Sequence, residues 1–113
     1  MNLIELFQIL AALTTAAAGV FVVFAPRRVV GFTGLEPIGG RGVTELRAVL
    51  GGLFVALGLT PLFLGPTAFL MLGIGYLAIA AVRAVSIVVD RSAVQSNIIS
   101  LVSEIALGVI LVL

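Results

Sequence analysis

The chain has 113 residues, 62% hydrophobic and 10% charged, with a mean hydropathy of +1.37, against about 45–50% apolar and about 25% charged in soluble domains. A soluble fold of this size buries too little surface to hide that excess, so lipid is the expected solvent. The net charge of +1 argues against a nucleic-acid partner. The lack of Cys and His removes thiolate and imidazole metal sites, haem or chlorophyll ligation, cysteine nucleophiles and the usual general base.

Four apolar runs follow in chain order, at about 4–25, 44–64, 67–89 and 97–113. A helix rises about 1.5 Å per residue and a bilayer core is about 30 Å thick, so roughly 20 residues span it. The first three runs meet that length. The fourth is short and needs its flanks or a thinner bilayer. The predicted fold is all-α, an antiparallel four-helix transmembrane bundle forming one integral membrane domain.

The breakers fall between the runs. Pro26 ends the first helix, and residues 26–32 suit a short interfacial helix, with Arg27 and Arg28 at the water side and Val29, Val30 and Phe32 in lipid. Five glycines and Pro37 lie between Gly31 and Gly42. Gly39, Gly40, Arg41 and Gly42 read as a turn, or alternatively as an amide nest in which Arg41 holds a lipid phosphate. Thr44 is placed to cap the second helix, with Glu45 in its first turn. Pro61, Gly65 and Pro66 read as a tight connection, and residues 90–96 as a polar one.

No basic residue precedes the first run, so it reads as a retained helix and not a cleaved signal peptide. All six cations are arginines. Arg27, Arg28 and Arg41 lie in the first connection, Arg47 just inside the second helix, and Arg83 and Arg91 around the third connection. With four spans these positions share one face. The positive-inside rule makes that face cytoplasmic and both termini external.

Small and polar residues recur at helical spacing. They are Glu5, Gln8, Ala12, Thr15 and Gly19 on the first helix, and Glu45, Ala48, Gly52 and Ala56 on the second. Such rows let helix backbones approach closely in lipid, and a polar pathway is the alternative. Two ionisable groups fall inside the spans at matching depth. Arg83 precedes Asp90 by seven residues, and Glu104 follows Asn97 by seven, each roughly 10 Å below the helix end. Charge in lipid is costly enough to favour their facing each other. Three readings stay open: a structural salt bridge, a snorkelling Arg83 with Glu104 protonated or hydrated, and an anion or proton site.

The segment from Thr44 to Phe54, TELRAVLGGLF, resembles the signature of a bacterial family of small four-helix membrane proteins, the domain of unknown function 4345. A Pro after the first helix, a Gly- and Pro-rich loop, an Arg then an Asp around the third helix, and a Glu in the fourth extend the likeness. Leu50 stands where that family suggests an aromatic, and Arg91 where it suggests Gly. The resemblance implies the four-helix fold and singles out Glu45, Arg47, Gly51, Gly52, Arg83, Asp90 and Glu104, with no activity attached. Small multidrug exporters carry a buried first-helix Glu among aromatics, whereas Glu5 lies at the helix end and Trp is absent. Small fluoride channels carry pore asparagines, and the first three helices have none.

The expected function is a non-catalytic structural or accessory subunit of a bacterial inner-membrane complex, or a lipid-interacting module. Its partners would be the bilayer and either a second copy or a larger complex, with no metal or cofactor. The alternative is a small carrier for protons or organic anions. The candidate polar cluster is Glu45, Arg47, Arg83, Asp90 and Glu104. The helix-packing set is Ala48, Gly51, Gly52 and Ala56, and Arg27, Arg28 and Arg41 are candidates for lipid headgroups.

Overall fold

The computed structural model describes residues 1–113 and contains helices and no strand. Helix α1 spans Leu3–Phe24. A 3-10 turn over Pro26–Val29 leads into the short α2, Val30–Thr33. Helix α3 spans Gly39–Leu64, α4 spans Pro66–Val89 and α5 spans Gln95–Val112. The four long helices are each long and apolar enough to cross a membrane.

Their ends follow from local chemistry. Asn2 and Glu5 form a reciprocal capping box: the Glu5 amide donates to Asn2 Oδ1 at 2.8 Å, and the Asn2 amide donates to Glu5 Oε2 at 3.2 Å. Two of the free amides of α1 are thereby satisfied. Pro26 cannot extend α1 and instead starts the 3-10 turn, so the expected short helical segment is present as that turn and α2. Gly65, at φ +80°, is the whole connection between α3 and α4, and Pro66 opens α4.

Three expectations about α3 are corrected. Residues Gly39, Gly40, Arg41 and Gly42 are its first turn and not a loop. The chain turns at Gly39, whose left-handed φ of +61° suits glycine, Gly42 lies where a side chain would come within 2.9 Å of Pro37, and the apolar run behind them carries the helix through. Thr44 therefore lies inside the helix and donates its hydroxyl to the Gly40 carbonyl at 3.0 Å in place of capping. Pro61 also lies inside α3 and is buried; the Gly65 amide donates to its carbonyl at 2.9 Å. Neighbouring helices make such a proline tolerable in a membrane helix.

Between Leu46 and Leu53, α3 widens to i→i+5 hydrogen bonding. The adjacent Gly51 and Gly52 have weak helix preference and ease the departure from the α ladder. Helix α3 lies against α1 at two glycines, one within the wide turns and one beyond them. A side chain at Gly58 would collide with the backbone of Ala12 and Ala16, and one at Gly51 would come within 2.6 Å of Val23 Cγ2. The packing row is therefore Gly51 and Gly58, seven residues apart. Ala48, Gly52 and Ala56 face outward, and a Cβ at Gly52 meets only the Arg47 carbonyl, at 3.9 Å.

The interface of α4 with α5 is exceeded only by that of α1 with α3. At the first, Gly73 lies against Leu111 and Val112, and Gly108 against Leu77. The apolar centre contains Ala11, Ala12, Leu72 and Leu111, with Phe69, Tyr76 and Leu107 around it. Only 18 of 113 residues are buried, while residues such as Phe63, Val82 and Val88 are 83%, 69% and 76% exposed. So thin a core under so large an apolar rim fits helices able to cross a membrane.

Candidate functional site

The polar centre of the molecule is a charged pair between α4 and α5. Arg83 projects from α4 and Glu104 from α5, and the two meet in a fork: Arg83 Nε donates to Glu104 Oε1 and Nη2 to Oε2, each at 2.7 Å. Arg83 Nη1 donates to Asn97 Oδ1 at 2.9 Å. Asn97 in turn donates its amide to the Ser92 carbonyl at 3.0 Å and to the Ser92 hydroxyl at 3.1 Å. The α4–α5 connection is thus tied to the ion pair by one asparagine.

Burial sharpens the picture. The Glu104 side chain is 12% exposed and that of Arg83 is 32% exposed. Two-pronged Arg–carboxylate contact is among the stronger polar interactions available, and it fixes orientation as well as distance. No buried side-chain nitrogen or oxygen lacks a partner. The cluster is electrically closed as it stands.

Of the five residues in the candidate cluster, Arg83 and Glu104 come together and the other three stand apart. Glu45 is held by Arg41 on the next turn of α3 and is exposed. Arg47 is exposed at the start of the wide turns, and Asp90 is exposed at the end of α4. Arg41 thus faces Glu45 from within a helix, where a turn was expected. Arg27 and Arg28 are exposed in the 3-10 turn.

Two polar hollows flank Arg83. One, of about 560 Å³, is bounded by α2 and its following residues, by Leu50 of α3, and by Arg83, Ser92, Val94, Ser96, Asn97 and Ser100. The other, of about 630 Å³, also borders Arg83 and includes Ser86 and Asp90. Arg83, Ser92 and Asn97 form the wall between them. No cluster of three or more acidic residues is placed to hold a metal ion.

A further polar link had no place in the sequence-based reading. Tyr76, from the middle of α4, shares a short hydrogen bond with Thr15 of α1, and the Thr15 hydroxyl also reaches the Ala11 carbonyl at 2.9 Å. Tyr76 is the sole tyrosine and lies within a span, away from the interface where tyrosines usually sit in membranes. A half-buried phenol within an apolar helix calls for a partner, and that is the signal that marks it. Gln8 Nε2 donates to the Ile110 carbonyl at 3.1 Å, joining α1 to α5.

Comparison of the chain with protein-family models, curated proteins and solved structures gives no match.

Proposed function

We propose that this protein is a non-catalytic membrane component, a structural or accessory subunit or a lipid-interacting module, folded as an antiparallel four-helix transmembrane bundle. The antiparallel order is supported by contacts whose numbers rise on one helix as they fall on the other: Gly73 with Leu111, Leu77 with Gly108, Arg83 with Glu104. The longest dimension, 44 Å, suits a bilayer of about 40–45 Å including its headgroups. The arginines favour an orientation with both termini outside and the first and third connections cytoplasmic. The likeness to the domain of unknown function 4345 family, carried by Glu45, Arg47, Gly51, Gly52, Arg83, Asp90 and Glu104, belongs to the same reading and favours a bacterial inner membrane.

The observation that carries the functional reading is the closed state of the ion pair. Arg83 and Glu104 neutralise each other through two hydrogen bonds and a third fixes Asn97. A pair in that arrangement locks α4 to α5, as a scaffold requires. A carrier of protons or organic anions is the second reading, favoured by the polar hollow that reaches Arg83. Mild extraction of the native membrane separates the two. A partner or a second copy that co-purifies in fixed ratio supports the accessory role. Ligand-dependent flux through vesicles containing the pure protein, lost in Arg83→Leu, overturns it in favour of the carrier.

A further inference from the structure

The geometry points to a binding site for a phosphate-type oxyanion in the hollow between α2 and the start of α5. The site deepens the lipid-interacting reading and rests on the four-helix bundle, which brings its walls together. Its polar lining is rich in donors. Arg83 has five N–H groups, and three of them are engaged by Glu104 and Asn97, so two remain. The hydroxyls of Ser96 and Ser100 have no partner within the chain and line the same space. Ser92 accepts from Asn97 through its oxygen, which leaves its hydrogen to donate.

The choice of ligand follows from what the lining lacks. No carboxylate borders this hollow, while Asp90 borders the second one. An anion is therefore admitted on the α2 side and repelled on the other. Phosphate offers several acceptor oxygens to hydroxyl and guanidinium donors, and such charge-assisted contacts are the stronger kind.

Two sources share this chemistry, a lipid headgroup and free phosphate. Glu104 cancels most of the attraction of Arg83, so a free ion is held weakly. A headgroup tethered in the bilayer arrives at high local concentration and tolerates weak intrinsic affinity. Phe32, Leu35 and Leu50 offer apolar wall beside the polar groups, as an amphiphile requires. The lipid source is the one the lining favours.

The test uses the full chain in a zwitterionic detergent without phosphate, with short-chain phosphatidic acid as the probe and calorimetric titration as the readout. The parent binds saturably. The double variant Ser96→Ala, Ser100→Ala binds about tenfold more weakly, the loss of two modest hydrogen bonds. Leu50→Phe, which fills the hollow and touches no polar group, also weakens binding. Arg27→Gln with Arg28→Gln, outside the hollow, leaves affinity within about twofold, as does Ser86→Ala in the other hollow. Competition by millimolar inorganic phosphate would assign the site to the free ion, and its failure to compete would assign it to lipid. Unchanged affinity in both the serine double variant and Leu50→Phe overturns the site, as does loss confined to the Arg27 and Arg28 variant. Thermal unfolding of each protein in the same micelles keeps the two readings separate: a parent that unfolds cooperatively but ignores the probe sinks the site and leaves the bundle standing.

Discussion

At the scale of single residues, the Arg83–Glu104 contact decides how α4 and α5 are held. Removing one partner strands the other charge in an apolar setting, whereas removing both strands none. Arg83→Leu and Glu104→Leu should each destabilise the protein in detergent, and the double variant should destabilise it by about 1–2 kcal/mol less than their sum. Additive effects in thermal unfolding would mean that the fork has no energetic weight. Tyr76→Phe should cost about 1 kcal/mol, because it removes the phenol that joins α4 to Thr15 of α1 and leaves the ring in place. The charged pair was legible in the sequence because each member stands seven residues from a polar turn, and equal depth on adjacent helices is arithmetic. The bridging role of Asn97 was not, since it depends on how the connection folds back to place Ser92 beneath it.

At the scale of the elements, glycine placement separates faces that composition leaves equivalent. Helix α3 carries two rows of small residues, one through Ala48, Gly52 and Ala56 and one through Gly51 and Gly58. Only the second touches α1. Spacing alone did not choose between them, and the row with the stricter four-residue repeat was the wrong one. The wide turns from Leu46 to Leu53 contribute to the error, because they rotate the helix face by an amount that no regular period anticipates. The first turn of α3 was also missed, since a Gly-rich stretch has the composition of a loop and becomes helical only through the apolar run that continues it. Gly58→Ala should therefore destabilise by about 1–3 kcal/mol, since its methyl meets α1 backbone that has no rotamer to change. Gly52→Ala should fall within about 0.5 kcal/mol of the parent. Thermal melts in one detergent compare them, and a reversed order would mean that α3 is turned to its other face.

At the scale of the whole molecule, the number and approximate extent of the long helices were the most legible features, because each is an apolar run of bilayer-spanning length and Pro26 and Pro66 mark two of the boundaries. Their mutual arrangement was less so, since helices in lipid associate through packing details and not through a shared hydrophobic stripe. The apolar rim and thin core fit helices α1, α3, α4 and α5 that are each long and apolar enough to cross a bilayer, and the proposed orientation puts the arginines on one side of it. Single cysteines at Asn2, Gly34, Gly65 and Ser92 test this directly, since the native chain has none. Each variant is treated in intact cells with an impermeant thiol reagent, and again after permeabilisation. Four crossings with external termini require Asn2 and Gly65 to react in intact cells, and Gly34 and Ser92 to react only once the membrane is opened. Labelling of Gly34 or Ser92 from outside, or equal labelling of all four in intact cells, would contradict that topology.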